Sequence, residues 1–321
     1  MHRYSWYLAA FVWVCWAIGV YLFVDANVFA TGWPIAPTML VGSFIAGSTS
    51  AGGGAVAFPV MTLLFGVDPP IARDFSLMIQ SVGMGAASIG IVLMSIRVEW
   101  KAIILSNLGG VLGILIGLQI SASWPPAFTK MFFVSLWLAI ALALYLINRG
   151  GRDVVQKIDK YDGRKIAALL TIGVAGGTVS GMTGSGLDIL TFAVLTMAYR
   201  LNESVATPTS VVIMAINSLV GVSICMFGNK LSTESLTYWW CAVPVVVIGA
   251  PLGAWYIKNK TRETVTRFLY VSILVQFIGA MLIVPQSIGT LSLVGCVVLA
   301  GSSLFLWMNR LTSNNVPTST D

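Results

Sequence analysis

AGSTSAGGG at residues 46–54 and VSGMTGSG at residues 179–186 are two glycine-rich breaks, each in the middle of a long apolar segment. Glycine and serine interrupt a helix, and a soluble protein has no reason to break two long hydrophobic helices at matching places. A transporter has such a reason, because the freed backbone ends can hold a substrate inside the bilayer. The two breaks therefore predict discontinuous membrane helices.

Composition places the chain among all-α polytopic membrane proteins. It is 57% hydrophobic and 9% charged, with a mean hydropathy of +0.88, and apolar runs of membrane-spanning length recur along it. The net charge of +6 does not indicate a nucleic-acid partner, because the basic residues lie between apolar runs, where they contact lipid headgroups. We expect the lipid bilayer and a small anionic substrate as partners. The oligomeric state, a homodimer included, stays open.

The sequence shows no enzyme signature and no cofactor site. The only histidine is His2, the four cysteines have no metal or disulfide spacing, and no carboxylates cluster within the apolar runs. The nucleotide-binding sequence G-x-x-x-x-G-K-[ST] does not occur either. We therefore expect no catalytic residues, no metal and no cofactor.

The chain is predicted to form one integral membrane domain over residues 1–321, built from two halves. Residues 6–24 could be a signal peptide with a weak cleavage-like site at Val28-Phe29-Ala30, but the length of the run and its Trp and Tyr content favour an uncleaved helix. The predicted parts are an N-terminal helix at 6–24, a first repeat at 35–147, a cytoplasmic linker at 148–165, a second repeat at 166–284 and a C-terminal helix at 289–308. Complete spans inside the repeats are predicted at 75–96, 102–120, 128–147, 206–227, 237–257 and 267–284.

The first break separates two arms that are too short to cross a membrane. The arms, at about 35–50 and 55–66, reach about 18–24 Å at ~1.5 Å per residue, which is less than the ~30 Å of a hydrocarbon core. We predict two half-helices folded into a re-entrant pair, and a second broken element with short arms at 166–199.

Three pairs of aligned blocks indicate that the second half repeats the first. Glycine-rich residues 52–54 align with 184–186, ARDFSL at 72–77 aligns with ATPTSV at 206–211, and GILIG at 113–117 aligns with GAPLG at 249–253. The blocks follow the same order in both halves, which favours a duplication over chance.

Positive charge decides the predicted orientation. If each broken element begins and ends on one side, all of the 18 Lys and Arg residues are cytoplasmic except Arg73, Lys130 and Lys230. A single crossing would instead place the basic residues at 258–267 outside, against the positive-inside tendency. The re-entrant arrangement starts the two repeats on opposite sides, so it predicts inverted repeats and cytoplasmic termini.

The breaks themselves predict an anion site. The second arm of each element begins with N–H groups that have no intrahelical partner and share a partial positive charge. In an inverted pair these ends converge near the midplane and can bind an anion without a buried Arg or Lys. Close packing of small residues would explain one glycine run, but two matching runs favour a substrate site. The predicted substrate-binding residues are Ser50, Gly52, Gly53, Gly54, Thr183, Gly184, Ser185, Gly186 and Asn217.

Three polar positions near the breaks each have two interpretations. Asn217 is an amide within a predicted span and bonds either a substrate or a neighbouring helix. Asp188, a candidate for coupling or gating, either carries a proton or senses whether the anion site is filled, or else it caps a helix N-terminus or faces water. Arg73, the second candidate for gating, sits beside Asp74 at the predicted outer start of a span. It is either a guide for anions or part of a surface ion pair worth little.

These residues resemble the TauE/SafE sulfite exporter family. The shared pattern is a glycine-rich break, a turn at Pro69-Pro70 and a helix start at 72–76, with a second copy at 180–186 and 206–210. The resemblance covers roughly 36–284 and implies a small permease that often exports sulfite or C2–C3 organosulfonates. The chain departs from the usual family pattern at Ser185, Arg73-Asp74 and Pro208.

The leading functional prediction is a secondary transporter of small sulfur-containing anions in the cell inner membrane, acting as an exporter. At ~100 mV, inside negative, export of one negative charge gains ~2.3 kcal/mol, so it needs no coupling ion. The alternatives are a proton-coupled importer of another small organic anion, with the proton on Asp188, and an anion channel. A channel would require rings of charges or carbonyls, for which the sequence offers few candidates.

Overall fold

The computed structural model describes residues 3–25, 27–48, 54–149, 154–228, 231–257 and 262–313. This described part is helical, as predicted, and its β-type pairing is limited to an isolated bridge between Val155 and Leu201. Short π-helical segments lie at Val60–Leu64 and Val194–Ala198. The α-helices are α1 (Arg3–Phe23), α2 (Asn27–Gly32), α3 (Ile35–Ser48), α4 (Gly54–Pro59), α5 (Pro69–Leu93), α6 (Trp100–Ser123), α7 (Pro126–Arg149), α8 (Gly163–Thr183), α9 (Leu187–Ala193), α10 (Glu203–Phe227), α11 (Thr233–Ile257), α12 (Arg262–Ile283) and α13 (Ile288–Ser313).

Seven of the described helices are long and apolar enough to cross a membrane, namely α5, α6, α7, α8, α10, α11 and α13. Their starts follow local sequence signals. Pro69 occupies the first helical position of α5, where its missing N–H costs nothing. Asp162 caps α8 by accepting from the Lys165 N–H at 2.8 Å, and Asn202 caps α10 by accepting from the Ser204 N–H at 2.9 Å.

Helix α8 corrects the prediction that both arms of the second break are short. It has 21 residues, which at ~1.5 Å per residue extend ~31 Å, about the thickness of a hydrocarbon core. Glycines at 173, 176 and 177 do not end this helix. Each of them packs against backbone atoms of another element, so their role is close approach and not a turn.

Helices α6 and α8 pack closely and run in the same direction. A Cβ built on Gly173 would lie 3.0 Å from the Gly109 Cα, one on Gly177 would lie 2.7 Å from the Gly110 Cα, and one on Gly181 would lie 3.0 Å from the Gly117 Cα. The contacting positions advance together along both helices, which defines a parallel pair. Only glycine leaves room for this separation of the two backbones.

Helices α3 and α11 form a matching parallel pair. A Cβ on Gly249 would lie 2.9 Å from the Leu40 carbonyl oxygen, and a Cβ on Gly253 would lie 2.9 Å from the Ser48 nitrogen. The helix before the first break thus packs on α11 as the helix before the second break packs on α6. Helix α5 packs against α10 between these two pairs.

The chain turns back after α8, so the second broken element ends beside its own start. Tyr199, which follows the π-helical segment, donates its hydroxyl to the Lys165 carbonyl at 3.3 Å, near the beginning of α8. Nearby, the Val155 N–H donates to Arg200 at 2.9 Å and the Asn202 N–H donates to Val155 at 2.8 Å. Residues 163–199 therefore form a closed helical hairpin.

Glu99, at the start of α6, forms hydrogen bonds with the polar connector that precedes α8. The Glu99 carboxylate is buried and accepts from the Ile158 N–H at 3.2 Å and the Tyr161 hydroxyl at 2.8 Å. The Glu99 N–H donates to the Thr209 hydroxyl of α10 at 3.0 Å. Burial, together with the hydrogen bond to Glu99 and its charge, raises the pKa of Tyr161, so the phenol stays protonated and keeps donating.

Helix α1 is hydrogen-bonded to backbone carbonyl groups of α11 next to a proline of that helix. Pro244 has no N–H, so the Trp240 carbonyl one turn earlier has no donor within its helix. Trp16 of α1 donates its indole N–H to that carbonyl at 2.9 Å, and Trp13 donates to the Pro244 carbonyl at 3.1 Å. The short helix α2, which the sequence did not predict, also packs on α11.

Candidate functional site

The second glycine break is a tight turn that is fully buried. Gly184 adopts φ +85°, a conformation that side chains with a Cβ rarely take, and its N–H donates to the Ser180 carbonyl at 2.7 Å. The Thr183 hydroxyl donates to the Ser185 carbonyl at 2.9 Å, and the Leu187 N–H donates to the Ser180 hydroxyl at 3.1 Å. The predicted residues Thr183 to Gly186 therefore occupy the turn itself.

Helix α5 of the first half closes over this turn. A Cβ on Gly184 would lie 2.5 Å from the Ser76 Cβ and 2.7 Å from the Arg73 carbonyl oxygen. Gln80, one turn further along α5, donates its amide to the Gly184 carbonyl at 2.6 Å and to the Ser76 carbonyl at 3.0 Å. The second break is thus positioned by side chains from the other half of the molecule.

Arg73 lies in the same contact region, paired with its neighbour Asp74. Its guanidinium donates twice to the Asp74 carboxylate, at 2.9 Å and 2.7 Å. The Arg73 and Asp74 side chains are only 7% and 2% exposed, so the interpretation as a surface ion pair is wrong. Burial follows from the position of α5, which packs against α8, α10 and α11 at once. A buried pair of this kind is costly to break.

Asp188 is buried in the first turn of α9. It is 1% exposed, so it does not face water. One carboxylate oxygen lies 3.5 Å from the Ser185 hydroxyl, and the backbone N–H groups of Gly186, Asp188 and Ile189 lie against the carboxylate. The other oxygen has no hydrogen-bond partner, and neither does the hydroxyl of Thr191, one turn further along. A buried carboxylate is expensive, and Asp188 remains a candidate for coupling or gating.

Asn217 of α10 approaches the start of α9 from the opposite side. A Cβ on Gly110 would lie 3.1 Å from the Asn217 Oδ1 and 2.8 Å from the Leu187 side chain, so these groups converge on one point. Asn217 is 1% exposed, and both its amide nitrogen and its amide oxygen have no partner. Gly83 of the first half aligns near Asn217. A Cβ on Gly83 would lie 3.0 Å from a methyl group of Val246, so its surroundings there are apolar.

Most of the first break lies outside the described residues. Ser50, Gly52 and Gly53, predicted to bind substrate, lie outside the described residues, and Gly54 is the first residue of α4. Helix α4 continues directly into the π-helical segment Val60–Leu64, as α9 continues into Val194–Ala198. The arms that follow the two breaks thus share one unusual local structure.

The second break can contact groups of either charge. Helix α8 ends with carbonyl groups and α9 begins with N–H groups, and the groups at such ends lack helical partners. The unpartnered side-chain atoms around the turn add an amide donor and an amide acceptor from Asn217, a hydroxyl from Thr191 that can donate or accept, and acceptors from Gln80 and Asp188. Among the described residues no cluster of His, Cys, Asp and Glu side chains could hold a metal ion.

Gln80 was not among the predicted site residues. Its contact with Gly184 joins residues 104 positions apart, so no local sequence pattern predicts it. The available signal was an amide within an apolar span, which bonds either a neighbouring helix or a ligand. Gln80 has both options, because its amide nitrogen bonds Gly184 while its amide oxygen is buried without a partner.

Comparison with known proteins places the chain in a family. The family model described as sulfite exporter TauE/SafE matches residues 35–282, from the start of α3 into the last turn of α12. The searches of curated proteins and of solved structures gave no match. Since the matched region covers well over half of the chain and contains both breaks, the protein belongs to the TauE/SafE sulfite exporter family of membrane transporters.

Proposed function

We propose that this protein is a secondary transporter that exports small sulfur-containing anions, either sulfite or C2–C3 organosulfonates. The observation that carries the proposal is the Asn217 amide, which is buried without a partner at the point where α9 begins. The Asn217 amide nitrogen, which has no partner, offers a donor to an anion beside the start of α9. The proposal also includes the sequence-predicted residues Ser50, Gly52, Gly53 and Gly54 of the first break as substrate-binding residues.

The proposed architecture is a pair of inverted repeats, 35–147 and 166–284, each with a re-entrant broken helix and three spans. The parallel pairs α3 with α11 and α6 with α8 support it, because a two-fold axis in the membrane plane exchanges such partners. The closed hairpin at 163–199 supports re-entry of the second element. We propose that the whole chain is one membrane domain in the inner membrane, with residues 148–165 and both termini cytoplasmic.

Direction follows from charge. An anion leaving a cell at ~100 mV, inside negative, gains ~2.3 kcal/mol per charge, so export needs no partner ion. Import of the same anion would have to proceed against this electrical free energy. Asp188 favours a second candidate, a proton-coupled importer, because a buried carboxylate without a cationic side chain can carry a proton across the membrane.

Flux measurements on proteoliposomes test the proposal. Radiolabelled sulfite efflux should saturate and should be inhibited by organosulfonates but not by acetate. Gly186→Ala should reduce it, since the added Cβ would lie 2.5 Å from a Val179 methyl group, whereas Gly85→Ala, with nothing within 4 Å, should leave it unchanged. Flux that rises linearly with concentration would indicate a channel, and transport of carboxylates alone would contradict the sulfur-anion assignment.

A further inference from the structure

Arg200 has a backbone conformation that favours glycine. It follows Tyr199 at the end of the second broken element, and its φ is +54°, in the left-handed region that is costly for any residue with a Cβ. Residues held in such a conformation are often functional, because the cost must be offset by what the side chain does. Arg200 is therefore a candidate for a role that glycine could not fill.

The first broken element shows that the turn itself needs only glycine. Gly66, at φ +67°, follows the first π-helical segment as Arg200 follows the second. In both turns the N–H of the next residue donates to the carbonyl six positions earlier, at 3.0 Å from Val67 and 2.9 Å from Leu201. The two turns share one backbone structure, and the second carries a guanidinium group where the first has no side chain.

The guanidinium of Arg200 has a buried donor without an acceptor. Its Nε is buried and has no hydrogen-bond partner, and the side chain forms no ion pair with another described residue. An arginine that only stabilised the carboxyl end of a helix would donate to its last carbonyl groups. Since buried polar groups normally have partners, this nitrogen indicates that Arg200 binds an acceptor that is not part of the described chain.

Arg200 lies against a basic surface formed by the connector and the start of α8. Its carbonyl accepts from the Val155 N–H at 2.9 Å, and the Lys165 Nζ lies 5.9 Å from the ring centroid of Tyr199. The charged residues at 157–165 and 200–203 are five basic ones, Lys157, Lys160, Arg164, Lys165 and Arg200, and three acidic ones, Asp159, Asp162 and Glu203. Positive charge in excess attracts an anion to this surface.

Two valines favour a lipid over a soluble anion as the partner. Val154 and Val155 are 36% and 43% exposed, although they belong to the polar connector. The beginning of α8 and the end of the second broken element meet beside them, since the Tyr199 hydroxyl donates to the Lys165 carbonyl at 3.3 Å. Exposed apolar side chains among cations at the end of a membrane hairpin are typical of a segment in the headgroup region.

From these observations we propose that Arg200 binds the phosphate of an anionic phospholipid at the bilayer surface. The planar guanidinium can donate two parallel hydrogen bonds to a phosphate, which a lysine at the same position could not do. The bound lipid then contacts both the end of the second broken element and the connector that is hydrogen-bonded to it. This proposal is independent of the transported substrate.

Lipid-dependent thermal unfolding of the purified full chain in a neutral detergent tests the proposal. Phosphatidylglycerol should raise the apparent Tm of the wild type by several degrees, because it binds the folded state, whereas phosphatidylcholine should not. Glycerol phosphate, which offers a phosphate without acyl chains, should also have no effect. No shift with phosphatidylglycerol would overturn the proposal, and an equal shift with glycerol phosphate would replace the lipid by a soluble anion.

Two variants separate the charge of Arg200 from its backbone conformation. Arg200→Gly should raise the Tm without lipid, because glycine adopts this φ freely, and should lose the shift with phosphatidylglycerol. Arg200→Gln keeps the unfavourable φ and removes the charge, so it should lose the shift without the gain. Its apparent Kd for phosphatidylglycerol should be about tenfold higher or more, as for a lost charge-assisted hydrogen bond.

Matched controls come from two exposed positions. Ser95→Gly relieves another positive φ, +51°, so it should raise the Tm without lipid and keep the shift with phosphatidylglycerol. Arg164→Gln removes an exposed positive charge from the same surface and should keep most of the shift. An equal shift in the wild type and both Arg200 variants would overturn the proposal. A loss in Arg164→Gln as large as in Arg200→Gln would also overturn it, because net charge alone would then attract the lipid.

Discussion

Gly113→Ala should destabilise the fold by about 1–3 kcal/mol, the usual cost of overpacking. The new Cβ would lie 2.7 Å from the Thr178 nitrogen and 2.8 Å from the Gly177 carbonyl carbon, inside the 3.0 Å that real Cβ atoms essentially never breach. These are backbone atoms, so no side chain can rotate away and α6 must separate from α8. Opening a packed contact by 0.5–1 Å forfeits about a quarter to a half of its dispersion energy.

Thermal unfolding of the purified protein in detergent, followed by tryptophan fluorescence, measures the effect. With about 2–4 °C for each kcal/mol, the apparent Tm should fall by several degrees. Gly85→Ala is the matched control, since it makes the same change within α5, where nothing lies within 4 Å. Equal Tm values for the two variants would refute the close parallel packing of α6 on α8.

Two other variants test the turn and the connector. Gly184→Ala should cost about 1–2 kcal/mol for its positive φ and about 1–3 kcal/mol more for the contact with α5, whereas Gly66→Ala, at φ +67° with nothing within 4 Å, should show only the first cost. Tyr161→Phe should lower stability at neutral pH by about 1.5 kcal/mol, because the buried Glu99 carboxylate loses a donor. The pKa of Tyr161 is raised above its ordinary 10.0, so folding favours the neutral phenol. The wild type should keep this contribution below pH 10 and lose it as the pH rises further, while Tyr161→Phe should lack that alkaline loss in pH-dependent unfolding.

Much of the helical framework is readable from local chemistry. Glycine and serine at 184–186 predict the turn where the structure has it, whereas α5 begins at Pro69, inside the turn predicted at Pro69-Pro70 and before the predicted span at 75–96. These signals act through backbone conformation and missing N–H groups, which do not depend on the rest of the fold. The length of each apolar run predicts the positions of the long helices, since it is also a local property of the sequence.

The glycines of α8 show what local sequence signals do not predict. Glycine ends α8 at Gly184, but α8 continues through Gly173 and Gly177. The difference is that Gly173 and Gly177 pack against glycines of α6. The four-residue spacing of glycines on both helices was the available sign of close packing. Burial of Arg73 with Asp74 likewise depends on the helices around α5 and not on the dipeptide.

The central claim, that the second break binds a sulfur-containing anion, is tested most directly by ligand-dependent thermal unfolding. The panel would contain sulfite, sulfate, thiosulfate, taurine, isethionate, sulfoacetate, acetate and chloride. A ligand at about 100 times its Kd should stabilise the wild type by about 2.7 kcal/mol. We predict stabilisation by at least one sulfur compound, kept in Gly85→Ala and lost in Gly186→Ala. Stabilisation by acetate or chloride alone, or by a sulfur compound equally in both variants, would contradict the account.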